Sequence, residues 1–472
     1  MSVGVTMRAA APRSAVLVAT SALVLAACAQ GTGGTDGDDD DVVFDPGAEL
    51  SGQMSVMGFG TVDEIAEVRY DLAREALGDG VDVSLVEGDL DIQQFLSAVA
   101  AGDPPALVYA NRDQIGTFAS RGAIVSLDDC VEGEGIDTSV LREPALDQVT
   151  FDGDLYAVPE FMQVQVTMAN ATLLEAAGLT VEDVNGSDWE AVTAATTALT
   201  QGAGGGLSVI GFDSKLPEFL PLWARANGVD LLSEDGRTAQ LDDPKVIEAL
   251  EHAVGIYDQQ GGFGAVKAYR DAADFFGEGN QFATGVLGAM PMENWYVNVL
   301  NEVSPDAPMA FDTFRGRDGE PLAFAGGSAW SIPAGTAETQ AAACRFIRVM
   351  TATDSWLTAA QERADLRAEE GQLFTGLLTG NAEADDRIRE ELVPTDAPEP
   401  WASAVAAIYE ANDAAFTFPA NPADAEFKAA WQDGVNRVLN GQAEPAESMA
   451  QAQEEAQAAL DEAWAAWDDD QE

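Results

Sequence analysis

The residues best suited to chemistry in this 472-residue sequence are Glu293-Asn294-Trp295-Tyr296, where a carboxylate, an amide and two aromatic rings follow an apolar run ending at Met290. Aromatic rings offer flat faces for stacking on apolar C–H surfaces, and planar carboxylate and amide groups satisfy buried hydroxyls. Such a set suits a small hydroxylated ring held in a cleft. Two other places carry similar groups. Trp330 follows Gly326-Gly327-Ser328, whose glycines let backbone approach a ligand closely. Glu160-Phe161-Met162-Gln163 follows Pro159 directly. Candidate ligand-binding residues are therefore Trp295, Trp330, Glu293, Asn294, Glu160, Phe161, Gln163 and Gly327. Trp223 reads better as the core of an amphipathic helix, and Arg363 and Arg367 as a solvated helix face.

Other chemistries find little support. The single His252 lies in a helical stretch without an evident partner, and with Cys130 and Cys344 it cannot build a Cys/His metal site. No Gly-x-Ser-x-Gly elbow stands out, and the glycine-rich run 202–206 lacks the Lys-Ser/Thr of a phosphate cradle. No cofactor and no metal are expected. A formal net charge of −58, from 81 acidic against 23 basic residues, repels phosphate backbones and anionic lipid. Nucleic acid is thus excluded as a partner. An exported glycoside hydrolase would need two carboxylates roughly 5–10 Å apart, and so many acids make any such pair uninformative.

The elements that must position these groups alternate in kind. The pattern predicts a strand over 54–59, a helix over 63–77 and a strand over 81–86. A helix over 92–101, stopped by Gly102 and Pro104, and a buried strand over 106–110 complete a βαβαβ order. That order implies a parallel sheet flanked by helices, with ligands beyond the strand C-termini at Gly58-Phe59-Gly60 and Asn111-Arg112-Asp113. Phe59 and Asn111 join the candidate list on this ground. Further helices are predicted over 189–200, 244–259 and 337–350, and another near the C-terminus before the acidic tail 468–470.

At the N-terminus, Arg8 and Arg13 precede an apolar stretch over 14–27, too short to span a bilayer but suited to a signal peptide. It ends in Leu25-Ala26-Ala27-Cys28, which resembles a bacterial lipobox, so Cys28 is expected to carry lipid and to begin the mature chain. Residues 28–48 form a Gly/Thr/Asp tether that cannot bury apolar surface. An exported, lipid-anchored protein on the outer face of the cytoplasmic membrane follows. Export permits a Cys130–Cys344 disulfide, while two buried thiols remain equally open.

The order of motifs along the mature chain resembles the extracellular solute-binding proteins of bacterial carbohydrate ABC importers. The resemblance is carried by Gly102-Asp103-Pro104 before the buried strand, by Gly153-Asp154-Leu155-Tyr156-Ala157-Val158-Pro159 and by Gly326-Gly327 before Ile332. Val438-Leu439-Asn440-Gly441 adds to it near the end. Asp154 stands where that family often has lysine, and Ala169 where it often has tyrosine. The resemblance implies an α/β fold of two periplasmic-binding-protein-like lobes, each a mostly parallel sheet flanked by helices, with a hinge between them. Residues 49–158 plus 330–393 would form lobe one, and 159–329 plus 401–467 lobe two. It further implies no enzymatic activity and a monomer that captures a sugar or oligosaccharide between its lobes and hands it to permease subunits. Another small solute, a polyamine or a peptide, is the alternative.

Overall fold

The computed structural model describes residues 42–202, 206–334 and 337–470. The expected signal peptide, Cys28 and the tether up to residue 41 lie outside them. No helix among the described residues is long and apolar enough to cross a membrane.

The βαβαβ order appears as β1 (Gly52–Met57), α1 (Glu64–Leu77), β2 (Val81–Val86), α2 (Ile92–Ala101) and β3 (Leu107–Asn111). Local chemistry fixes the boundaries. Asp63 caps α1 by accepting from the Ala66 amide, and Gly78 ends it at a positive φ of 77°. Gly102 closes α2 in the left-handed region. Strand β1 pairs in parallel with both β2 and β3. Leu107, Val108 and Ala110 of β3 are all buried, as the continuous apolar run requires of a strand covered on both faces.

Two sheets organise the molecule. The first has the order β2-β1-β3, then Ser328–Ser331, then Val158–Pro159. The second runs Met309–Thr313, Gln165–Asn170, Leu287–Glu293, Ile210–Phe212. Both are mixed. Ser328–Ser331 enters the first sheet antiparallel to β3, and Gln165–Asn170 lies antiparallel to both its neighbours in the second. Each is the first strand of its sheet after a passage between the two.

Helices cover both sheets. The helices Ala337–Thr351 and Thr353–Glu370 pack on α1, and Trp401–Asp413 packs on Met309–Thr313 and Gln165–Asn170. Cys130 and Cys344 form a disulfide with Cα atoms 5.8 Å apart, tying Asp128–Glu134 to Ala337–Thr351. That settles the choice left open by the sequence. The last helix, Pro445–Asp470, continues into the acidic tail, where Arg237 donates to both Asp468 carboxylate oxygens at 3.2 Å.

The chain passes from one sheet to the other between Pro159 and Gln165 and returns before Ser328. These passages are zipped together. Gln163 and Gly326 exchange backbone hydrogen bonds of 2.9 and 3.0 Å, and the Glu160 amide donates to the Ser328 carbonyl at 2.9 Å. The segment around Leu378 to Gly380 adds a third member, through Met162 to Leu378 at 3.3 Å and a Phe161–Thr379 bridge. Only glycine fits at position 327: its φ is 144°, and a Cβ there would lie 1.9 Å from the Phe161 carbonyl oxygen.

Candidate functional site

A cleft of about 260 Å³ opens where these passages meet the C-terminal ends of β3 and Leu287–Glu293. It is near the lower limit for small-molecule sites, roughly 300–1,000 Å³. Asn111, Gln163, Glu293 and Gly327 all line it, bringing together four residues that lie far apart in the chain.

Arg112 fixes the floor. It is buried and follows β3 directly, and its guanidinium reaches both passages at once. It donates to the Phe161 carbonyl, to the Gly326 carbonyl at 2.5 Å and to Gln148 Oε1 at 2.9 Å, with Met162 Sδ at 3.3 Å. Burial lowers its pKa to about 10, which still leaves it charged near neutrality. Gln165 serves a similar end: its amide donates to the Phe324 carbonyl and accepts from the Phe324 amide, both at 2.9 Å. Polar side chains thus lock backbone around the cleft, leaving the exposed Asn111 and Gln163 side chains facing its opening.

One wall is aromatic. Phe324 and Phe418 lie 5.0 Å apart at 48°, and Phe418 meets Phe427 edge-on at 5.8 Å. Phe219 and Trp431 complete it. Acidic groups share this lining. Asp113, Glu218, Glu293 and Asp424 line the cleft, against the cations Arg112 and Lys428. Asp113 holds Lys428 at 2.5 Å. Burial pushes the Glu293 carboxyl upward, Lys215 pulls it back and Glu218 pushes it further up.

The remaining candidates do not line this cleft. Asn294 accepts from the Val164 amide at 3.1 Å, ending the strand and starting the helix Trp295–Val303. Trp295 is half-buried in an aromatic ledge, stacked 6.0 Å from Phe276, which is 65% exposed. Phe161 packs edge-on against Trp356 at 5.1 Å. Glu160 is wholly buried and ion-paired to Arg69 at 2.6 Å. Trp330 and Phe59 lie in the core of the first sheet, 5.0 Å apart, with Tyr109 4.7 Å from the Trp330 ring. Trp223 is core as well, its indole donating to the Ser214 carbonyl at 2.9 Å. Arg363 meets Asp63 at 2.7 Å and pairs with Glu64.

Sequence reasoning reached Arg112 and Asp113 as neighbours of Asn111, but missed Gln165, Asp424 and the aromatic wall. The available signal was Phe416-Thr417-Phe418, a short alternation before the Pro419–Pro422 turn. It gave no hint of which distant strand it would face.

Residues 73–365, more than half of the chain, match the family model described as bacterial extracellular solute-binding protein. The chain belongs to the bacterial extracellular solute-binding proteins. None of the curated proteins compared with this solute-binding protein matches it in sequence. Among solved structures, it is similar to the ABC substrate-binding protein Lmo0181 of Listeria monocytogenes in complex with cycloalternan. That match has a TM-score of 0.67 at 18% identity and covers 87% of this chain and 99% of that one. The GacH receptor of Streptomyces glaucescens, described unliganded and with acarbose, gives 0.64 at 20%, covering 88% and 99%. UgpB of Mycobacterium tuberculosis with glycerophosphocholine gives 0.64 at 20%, covering 87% and 99%. At such identities the likeness is one of fold, and it is the two-lobe periplasmic-binding-protein-like α/β fold expected from the sequence.

Proposed function

We propose that this solute-binding protein is the carbohydrate-capturing component of an ABC importer. In this reading it is held at the outer face of the cytoplasmic membrane by lipid on Cys28 and delivers its solute to permease subunits. The observation that carries the reading is the cleft itself, whose lining combines aromatic rings with the exposed side chains of Asn111 and Gln163 and with Glu293. Rings take the C–H face of a sugar, and planar polar groups take its hydroxyls. The saccharides named with the Listeria and Streptomyces structures support the same class. Trp295, at the ledge beyond Glu293, extends the stacking surface. Trp330, Phe59, Glu160, Phe161 and Asn294 hold the surrounding scaffold rather than the solute.

Residues 49–158 plus 330–393 act as one lobe and 159–329 plus 401–467 as the other. A ligand that touches both favours the closed arrangement, which is the species a permease would recognise. The protein works as a monomer and binds without turnover. Melting-temperature shifts across a broad panel of mono- and oligosaccharides, polyamines and peptides test this, because binding to the folded state alone must raise stability. A saccharide shift with no product formed is the expected result. Shifts from polyamines or peptides alone, or hydrolysis of a bound glycoside, would overturn it. Lipidation is checked separately by the mass of the mature N-terminus, which a Cys28→Ala chain would lack.

A further inference from the structure

Five acidic side chains are buried among the described residues: Glu134, Glu160, Asp213, Asp385 and Asp424. Four of them hold an arginine. Glu134 pairs with Arg345 and Arg348, Glu160 with Arg69, Asp213 with Arg270 and Asp385 with Arg142. Asp424 alone of these has no Lys or Arg within ion-pairing distance, and it alone lines the cleft. Its oxygens accept from the Gly116 amide at 3.1 Å, the Asn421 amide at 3.2 Å and the Asn421 side chain at 2.6 Å. These donors favour a carboxylate but bring no positive charge. A buried acid without a counter-charge is costly, and elsewhere in this fold an arginine meets that cost.

The cleft's own cations are committed elsewhere. Arg112 is directed at carbonyls, an amide and a thioether, and Lys428 is held by Asp113. Glu218 and Glu293 also lack an ion-pair partner within 4 Å among the described residues. The acidity of the whole chain does not account for this, because exposed carboxylates are screened within about 8–10 Å of solution. Asp424 is shielded from that solution. Beside these acids stand Phe418, Phe427 and Trp431, whose ring faces attract cations.

We propose that the cleft prefers a sugar bearing a protonated amine over its neutral parent, with Asp424 and Glu293 as the groups that meet the ammonium. This rests on the reading of the cleft as a saccharide site. The ligand supplies the positive charge that an arginine supplies at the other buried acids.

Isothermal titration of the purified protein with matched sets tests it: glucosamine and its oligomers, their N-acetylated forms and the corresponding neutral glucose sugars. The amine forms should bind about tenfold or more tightly than either counterpart. Glu293→Gln and Asp424→Asn should each cut that preference several-fold, with circular dichroism and a melt establishing that each variant is folded. Glu293 lies at a strand end and is half-exposed, so its variant serves even where Asp424→Asn fails to fold. Neutral sugars binding as tightly as the amines would overturn the inference and leave the saccharide reading intact. Binding of no saccharide, with or without binding of putrescine or choline, would overturn that reading and the inference with it.

Discussion

Arg69 and Glu160 form an ion pair of 2.6 Å from which solvent is wholly excluded, joining α1 to the passage that leaves the first sheet. The Arg69 guanidinium also lies 3.7 Å from the centre of the Trp356 ring and donates to the Met350 carbonyl at 3.0 Å. Burial pushes the Glu160 carboxyl upward, and Arg69 opposes that push. The pair anchors one end of the hinge region to a helix of the first sheet. Removing one partner strands a buried charge, so Glu160→Gln or Arg69→Met should each cost about 3–5 kcal/mol in urea unfolding. The double variant should cost less than the sum of the two. Additive losses would show that the partners act independently.

Trp330 and Trp295 should separate under substitution. Trp330 is fully buried against Phe59, Tyr109 and Phe346, so Trp330→Ala should lower stability by about 3–5 kcal/mol. Trp295 is half-buried beside the exposed Phe276, and Trp295→Ala should weaken saccharide binding while costing much less stability. Titration and denaturation of both variants decide it; equal stability losses would count against the assignment of Trp295 to the binding surface.

His252 is the only histidine, so its imidazole resonance can be followed without assignment. It stacks on Trp189 with ring centres 4.3 Å apart and planes 3° from parallel, and burial, with Arg317 nearby, lowers its pKa to about 4. The folded state keeps it neutral, whereas the unfolded chain protonates it near 6.5. Its contribution is therefore complete above pH 6.5 and is lost as pH falls toward 4, amounting to about 3 kcal/mol at most. The resonance should stay unshifted down to about pH 5. Titration near 6.5 in the folded protein would contradict this.

Reducing the disulfide should matter even though it lies away from the cleft. It closes a loop spanning 214 residues, and such a cross-link restricts the unfolded chain, a contribution of about 2–5 kcal/mol. Melting with and without reductant, or of a Cys130→Ser/Cys344→Ser chain, should show that loss with saccharide affinity little changed. An equal melting temperature would mean that the bond adds nothing.

Much of the scaffold was legible because its signals are local. The helix α2 ran as expected over 92–101, between Asp91 as its cap and Gly102 as its stop. The buried strand β3 announced itself by an unbroken apolar run. The site was legible only in part. Asn111, Gln163, Glu293 and Gly327 sit at ends of elements whose boundaries could be read. Asp424 and Phe418 could not be found that way, since their meaning depends on a helix from the far end of the chain folding back over Gly116 and the residues that follow β3. Nor does sequence distinguish a tryptophan such as Trp330, in a strand with its ring in the core, from one such as Trp295, half-buried at the start of a helix. Burial is decided by tertiary packing.

The zipped passages set the mechanics of any opening. Gln163 is bonded to Gly326, and Phe161 bridges to Thr379, so the three segments cannot slide past one another without breaking backbone hydrogen bonds. Bending as one short ribbon breaks none. A motion of one sheet against the other that keeps these bonds is therefore a bend across the ribbon, two of whose segments Arg112 ties together through the Phe161 and Gly326 carbonyls. A solute resting against Gln163 and Gly327 would bear on that ribbon at its bend, where a small displacement becomes a large one at the far edges of the sheets.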